Sequence, residues 1–149
     1  MSRAADITID EMRAEDISAV CTLFYSVSEL GVSASFDSPE RIRSYLERNP
    51  GFSSVARKEE HVVGAILCGH DGRRGSFYHA VVLPEYRGAG IARRMVDRSL
   101  SSLKERGITT AFLFTHEQNK AAQSFWKEIG WEYCPGVQYH CLDFGSPIV

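Results

Sequence analysis

The chain has 149 residues, of which 44% are hydrophobic and 24% charged, and its formal net charge is −2 at pH 7. That length and apolar content predict a single compact domain, residues 1–149, with its own core. The slightly acidic balance argues against a nucleic-acid or membrane-surface binder, since neither polyanion would be attracted. The first ten residues lack the apolar core of a signal peptide, and no segment reaches the ~20 apolar residues of a membrane span. We therefore expect a cytoplasmic protein without a membrane partner.

The cysteines are widely spaced and include no Cys-x-x-Cys pair; they are Cys21, Cys68, Cys134 and Cys141. This spacing indicates neither a zinc site nor a redox dithiol, so we expect no metal. Reduced thiols in or near the core are the expectation.

The first part of the chain predicts one strand and two helices. Residues 7–9 alternate apolar and polar side chains as a strand does. Asp16 is the predicted cap of a helix that ends at Gly31, and its apolar face is Ile17, Val20, Phe24, Val27 and Leu30. A second helix starts at residues 38–40, Ser-Pro-Glu, and is closed by residues 49–51, Asn-Pro-Gly.

The remainder of the chain predicts alternating strands and helices. Strands are expected at about 53–58, 62–69, 76–82, 110–115, 131–133 and 138–143. Helices are expected at about 90–106 and 119–129. The predicted order is β-α-α-β-β-β-α-β-α-β-β, an α+β protein without repeats or linkers.

Residues 81–92 are the most informative segment, because an apolar strand passes through Pro84 into a glycine-rich turn and then a helix. Gly88 and Gly90 let the backbone approach a ligand with no Cβ in the way. The free N–H groups and dipole of the helix start favour an anion, and Arg87 adds a positive charge. The segment therefore predicts a phosphate-binding turn.

Other glycine loops fit this segment less well. A Walker loop needs a lysine that does not follow Gly90 at the required spacing. A dinucleotide fingerprint would put Arg93 where a small residue must pack, and it would lie past mid-chain. A dinucleotide-binding enzyme and an ordinary turn before a helix remain as alternatives.

A second spaced cluster lies downstream and comprises Asn119, Ala122, Phe125, Trp126, Gly130 and Trp131. Together with residues 81–92 it resembles the coenzyme A site of the GNAT acetyltransferase superfamily. Residues 69–76 are similar to the small bacterial YpeA-like branch of that superfamily. The resemblance implies the GNAT fold, with a central, mixed, mostly antiparallel sheet of about seven strands and four helices.

The resemblance also implies which residues bind acetyl-CoA. In the family, the strand ending at Val82 splays from the next strand, and the pantetheine arm bonds to the exposed backbone. The backbone groups implied here are those of Ala80, Val81 and Val82. The residues implied to hold the pyrophosphate are Arg87, Gly88, Ala89, Gly90, Ile91, Ala92 and Arg93. Asn119 matches the asparagine that hydrogen-bonds the cofactor arm.

The implied reaction is direct attack of an amine on the thioester of acetyl-CoA, for which the amine must lose a proton. His79 is the first candidate base, because an imidazole that titrates near neutrality suits this task. Strand alternation puts His79 and Val81 on one face, and a one-residue bulge would reverse that face. A histidine with only a structural hydrogen bond remains the alternative. His116 and Glu117 are reserve bases.

The chain departs from the family at Trp126, where many relatives carry a tyrosine that protonates the leaving thiolate. An indole N–H is no useful acid, so packing of the helix is the preferred interpretation, and Tyr133 or Tyr139 are other proton sources. The acceptor wall implied by the resemblance includes Glu29 and Asp37, which can attract a cationic amine or serve as helix-end or capping carboxylates. We expect the acceptor to be a small-molecule or protein amine. A homodimer is compatible with the sequence. The alternative function is an acyl-CoA-binding module without catalysis.

Overall fold

The computed structural model of the protein describes residues 6–27 and 32–145. The chain divides into two compact units, Met1–Phe114 and Thr115–Val149. None of the helices in the described ranges is long and apolar enough to cross a membrane.

The first unit contains all of the described strands and most of the helices. The strands are β1 (Ile7–Glu11), β2 (Ser54–Lys58), β3 (His61–His70), β4 (Gly75–Val82) and β5 (Ala111–Leu113). The helices are α1 (Ile17–Tyr25), α2 (Ala34–Asp37), α3 (Pro39–Arg48) and α4 (Ile91–Glu105), and 3₁₀ turns lie at Ala14–Asp16 and Pro84–Tyr86. The second unit contains α5 (Lys120–Glu128).

The strands form one sheet in the order β1-β2-β3-β4-β5. Neighbouring strands are antiparallel except β4 and β5, which are parallel. The predicted α+β class with a mixed, mostly antiparallel sheet is therefore confirmed. The described residues hold five strands rather than about seven, and five helices rather than four.

The two strands predicted near the C-terminus are wrong. Trp131 is held to the end of α5 instead, because its N–H donates to the Trp126 carbonyl at 2.9 Å and the two indole rings lie 5.0 Å apart. Residues 138–143 have no ladder partner within residues 115–145, and a strand without a neighbour is not stable. The predicted strand at 110–115 is shorter than expected, since β5 is only Ala111–Leu113 and is half-buried.

The helix starts differ in how well the sequence predicts them. Ser38 caps α3 as predicted, with its Oγ accepting from the Arg41 N–H at 3.2 Å. Asp16 makes no cap bond to α1. Its carboxylate instead accepts from the Arg13 N–H at 2.8 Å and pairs with Arg57 at 2.6 Å.

The first predicted helix is also shorter than its apolar pattern suggested. It ends at Tyr25, and the sequence did not predict the short α2 that follows Ser33. The predicted end residues Leu30 and Gly31 lie outside the described residues.

Helices cover both faces of the sheet. On one face α1 and α3 pack in a core whose buried members include Val20, Leu23, Phe24, Ile42, Val55, Ala65, Leu67 and Val81. On the other face α4 lies close to the strands. A Cβ built on Gly64 of β3 would lie 3.1 Å from Met95 Cε of α4 and 3.2 Å from the Val81 oxygen. A hydrogen bond of 2.7 Å between the buried hydroxyls of Ser54 and Ser99 joins β2 to α4.

The cysteine prediction is half right. Cys21 and Cys68 are free and buried, and Cys134 and Cys141 are free but exposed.

Candidate active site

The open edge of β4 is the first part of the candidate site. β5 pairs only with Gly75–Phe77 of β4, whereas β3 pairs with β4 as far as Val82. Within the first unit the segment 78–82 therefore has a strand neighbour on one side only. The resemblance implied a separation of these two strands, beyond which a ligand would bond to the backbone of β4.

The backbone groups of this edge point in alternate directions. The Leu83 N–H donates to the Val63 carbonyl, so Val82 turns its own N–H and C=O away from β3. The Val82 carbonyl accepts a hydrogen bond from Arg87 Nε at 2.9 Å. Val81 lies opposite Ala65 in the register, with its oxygen on the β3 side. Of these two predicted residues, Val82 thus has its N–H and C=O at the open edge, and Arg87 occupies the C=O.

A β-bulge interrupts β4 at His79. Ala65 is paired with Val81, and Leu67 is paired with Tyr78. Between these pairs β3 has one residue and β4 has two, so β4 carries one extra residue. His79 takes up the extra residue with a φ of +56°, a backbone state that costs a non-glycine residue about 1–3 kcal/mol. Strain of this kind is concentrated at functional sites in proteins.

The bulge turns two consecutive side chains to the same face. The Tyr78 ring packs edge-on against Tyr45 of α3, with centroids 6.2 Å apart. The His79 ring packs against Phe24 of α1 at 5.2 Å. Val81 joins the same core cluster as Phe24, so the prediction that His79 and Val81 share a face is confirmed.

His79 is paired with Asp37 of α2. Its Nε2 lies 2.9 Å from Asp37 Oδ1, and the two side chains are only 10% and 4% exposed. Asp37 Oδ2 accepts from the Ser33 N–H at 2.9 Å, and the Asp37 carbonyl accepts from the Tyr25 hydroxyl at 2.8 Å. The sequence indicated both residues, but not their pairing across 42 positions.

The electrostatic effect of this carboxylate reaches α1. Burial raises the pKa of the Cys21 thiol, and the nearby Asp37 and Glu40 raise it further by disfavouring a second negative charge. Glu29, the other predicted acid of the acceptor wall, lies outside the described residues.

The glycine turn before α4 is the second part of the site. Gly88 and Gly90 have φ values of +81° and +77°, and a Cβ built on either would meet nothing within 4 Å. The first helical hydrogen bond runs from the Arg94 N–H to the Gly90 carbonyl. The N–H groups of residues 91–93 precede that bond, and Gly90 has no side chain to cap them.

The side chains around the turn have separate environments. Ile91 is buried and anchors the start of α4, while Ala89 and Ala92 are half-buried. Arg87 and Arg93 are exposed. Arg93 lies 3.9 Å from Asp97 in a surface ion pair, which is too weak to hold it away from a ligand. Open space, free N–H groups, a helix N-terminus and two arginines make this turn suitable for a phosphate group.

The second unit carries the remaining predicted residues. Asn119 caps α5, since its Oδ1 accepts from the Ala122 N–H at 3.1 Å, and the cap does not use its amide nitrogen. Trp126 is buried between Phe125 and Trp131, with ring distances of 5.1 and 5.0 Å, which is the packing role expected for it. Tyr133 is 89% exposed.

The reserve bases lie on an exposed turn. His116 and Glu117 are both exposed, and their carbonyls accept from Gln123 Nε2 at 2.8 and 2.9 Å. In the described ranges, no group of three or more His, Cys, Asp or Glu side chains is arranged to hold a metal ion.

Comparisons with known proteins bear on the same segments. A family model described as the acetyltransferase (GNAT) family matches residues 17–131. The chain is similar to an acetyltransferase of Pectobacterium atrosepticum, with 32% identity over 138 residues and 92% of each chain covered. It is also similar to N-alpha-acetyltransferase 30 of Schizosaccharomyces pombe, with 34% identity over 93 residues, covering 59% of this chain and 62% of the other.

The fold has a counterpart among solved structures. The crystal structure of a predicted acetyltransferase from Clostridium acetobutylicum with acetyl-CoA superposes with a TM-score of 0.72 at 17% identity. The match covers 91% of this chain and 96% of that one.

Proposed function

Because this chain belongs to the acetyltransferase (GNAT) family, we propose that it transfers an acetyl group from acetyl-CoA to a primary amine. The observation that carries the proposal is the open edge of β4 leading directly into the glycine turn of α4. An extended amide-bearing arm and a pyrophosphate follow one another in coenzyme A in the same way. The strand edge and the helix start therefore match the ligand in order as well as in chemistry.

The glycine turn would hold the pyrophosphate. Gly88 and Gly90 leave room for the oxygens, and the N–H groups at the start of α4 donate to them. Arg87 is tied to the Val82 carbonyl through Nε, so its terminal guanidinium nitrogens remain to contact an anion. Asn119 would contribute its amide N–H₂, as its counterpart does in the family.

His79 would act as the base. Acetyl-CoA supplies a thioester carbonyl that accepts the amine. An amine with a pKa near ~10 is mostly protonated at neutral pH, and His79 removes one proton from its nitrogen. The nitrogen then forms a bond to the acetyl carbon, the carbon–sulfur bond breaks, and sulfur takes the electron pair. The second proton then leaves the nitrogen as the amide forms and reaches the sulfur through solvent, while His79 releases the first proton to solvent. The products are the acetyl amide, CoA thiol and one proton.

Trp126 in place of the family tyrosine does not prevent this reaction. Free thiols titrate near ~8.5, so sulfur is a tolerable leaving group without prior protonation. The same tryptophan favours the second candidate function, an acyl-CoA-binding module without catalysis. The two candidates share the coenzyme A site and differ only in turnover.

The acceptor class is open between a small molecule and a protein. The name of the S. pombe relative, N-alpha-acetyltransferase 30, favours a peptide N-terminus, whereas the name of the P. atrosepticum relative gives no acceptor. A cytoplasmic location and the absence of nucleic-acid and membrane partners remain predictions from composition. The closer likeness to the YpeA-like branch and a homodimer are likewise predictions.

A panel of amines tests the proposal. The protein is incubated with acetyl-CoA and, separately, small amines, amino acids, aminoglycosides and peptides with free N-termini. Because Cys134 and Cys141 are exposed thiols, CoA release is followed by chromatography rather than with a thiol-reactive dye. Amine-dependent release supports the enzyme. Calorimetric binding of acetyl-CoA without any release supports the silent module, and binding of NAD instead supports a dinucleotide enzyme.

A further inference from the structure

The carboxylate of Asp37 has both oxygens occupied. Oδ1 lies 2.9 Å from His79 Nε2, and Oδ2 accepts from the Ser33 N–H at 2.9 Å. The Tyr25 hydroxyl fixes the backbone of the same residue. Asp37 is thus held from three directions, and its side chain is only 4% exposed, so little of it faces an acceptor amine.

The pairing determines which nitrogen of His79 is protonated. An ionised carboxylate only accepts hydrogen bonds, so the shared proton must be on Nε2 when the imidazole is neutral. The lone pair is then on Nδ1. Among the described residues Nδ1 has no hydrogen-bond partner, and it is the ring atom left for a substrate.

We propose that Asp37 is a positioning residue for His79, which it holds as the Nε2–H tautomer so that Nδ1 takes the proton of the acceptor amine. The inference rests on the proposed function in one respect, the use of Nδ1 as the base. The bulge supports it, since the φ of +56° at His79 and the contact with Phe24 bring the ring to Asp37 rather than leaving it in the regular pleat.

The other titratable groups near this pair do not replace Asp37. Cys21 and Tyr25 of α1 interact electrostatically with Asp37, and Glu40 of α3 acts on both. Burial first, and then these negative charges, raise the pKa of the Cys21 thiol and of the Tyr25 phenol. Both groups therefore stay neutral near pH 7 and place no further negative charge beside the pair.

The tautomer is measured directly by nitrogen NMR of the wild-type protein labelled in its histidines. We expect His79 to have a protonated Nε2 and an unprotonated Nδ1 at a pH where the ring is neutral. A protonated Nδ1 in the wild type overturns the proposal. This measurement needs no variant and no acceptor, so it decides the state of His79 even if no amine is acetylated.

The variant Asp37→Asn tests the link to catalysis. Its amide can donate to Nε2 and so favours the opposite tautomer, and we expect kcat to fall about 10²- to 10⁴-fold, as when the base itself is lost. KM for acetyl-CoA should stay unchanged. The NMR signals of His79 should exchange, with the proton now on Nδ1. Full kcat in a folded Asp37→Asn variant overturns the positioning role.

Two further variants separate positioning from simple loss of structure. Asp37→Glu retains a carboxylate and should recover part of the kcat that Asp37→Asn loses. The double variant Asp37→Asn with His79→Gln should have a kcat no lower than that of His79→Gln alone, because the effects of residues that act as a unit do not add. Independent, multiplying losses in the double variant contradict the proposal. If the amine panel gives no product at all, the proposed function fails, while the NMR result still decides what Asp37 does.

Discussion

The substitution Gly90→Asp tests whether the glycine turn holds the pyrophosphate. Gly90 has a φ of +77°, and its built Cβ meets nothing within 4 Å, so a side chain there is strained but not blocked. The left-handed backbone costs a non-glycine residue about 1–2 kcal/mol. This lowers the melting temperature of the free protein by roughly 4 °C per kcal/mol in a chain of this size.

The added charge has a larger effect on the ligand. A carboxylate about 4 Å from a phosphate charge, at an effective dielectric constant of about 20, is repelled by ~4 kcal/mol. That raises Kd about a thousandfold. Acetyl-CoA at about one hundred times the wild-type Kd stabilises the wild type by ~2.7 kcal/mol, and the variant by only ~0.1 kcal/mol. The ligand-induced rise in melting temperature should therefore disappear.

Two control variants complete this assay, which is thermal unfolding with and without acetyl-CoA. Gly90→Asn has the same backbone strain without the charge and should keep most of the shift. Gly107→Asp follows the other end of α4, where φ is +80° and a Cβ again meets nothing; it should keep the shift as well. A folded Gly90→Asp variant with the wild-type shift, or equal loss in Gly107→Asp, refutes the assignment.

The other predictions concern the cap of α5, the base and an ion pair. Asn119→Ala should lower the stability of the free protein by ~1 kcal/mol through loss of the cap and weaken acetyl-CoA binding in calorimetry; unchanged affinity would leave only the cap role. His79→Ala should lower kcat about 10²- to 10⁴-fold with little change in acetyl-CoA affinity. A variant with the wild-type rate and pH profile places the base elsewhere.

The pair of Asp16 and Arg57 predicts how stability depends on acid. Burial opposes ionisation of Asp16, but the hydrogen bonds from Arg57 and Arg13 outweigh it and hold the pKa of this carboxyl below its usual value. Its stabilising contribution is complete above the unfolded pKa near ~4 and is lost as pH falls through the lower folded pKa. The free energy of unfolding of Asp16→Asn, measured as a function of pH, should therefore fall less below about pH 4 than that of the wild type. An equal fall in both proteins contradicts this.

Local signals explain what the sequence predicted well. Ser38 before Pro39 determines a helix start within four residues, and the structure has the cap. Gly88 and Gly90 likewise determine the left-handed turn before α4, since each acts through its own backbone. Signals of this kind do not depend on residues far along the chain.

Long-range contacts explain what the sequence did not predict. The bulge at His79 depends on how β4 pairs with β3, and no residue type within β4 predicts it. The pairing of His79 with Asp37 depends in turn on that bulge and on where α2 lies. The error at residues 138–143 has a related cause, because alternation gives a strand its pattern but does not supply the neighbour that makes it a strand.

Gly64 allows α4 to rest directly on the backbone of β3, with Met95 Cε 3.1 Å from where a Cβ would be. Met95 is fully buried, and its terminal methyl fills the space above Gly64, which holds α4 in position on the sheet. The turn at the start of this helix is consequently in place before a ligand arrives. Binding then loses little conformational freedom of the protein, and the entropy given up is mainly that of the ligand's own rotatable bonds. A ligand with fewer or more restricted rotatable bonds should therefore bind this site more tightly.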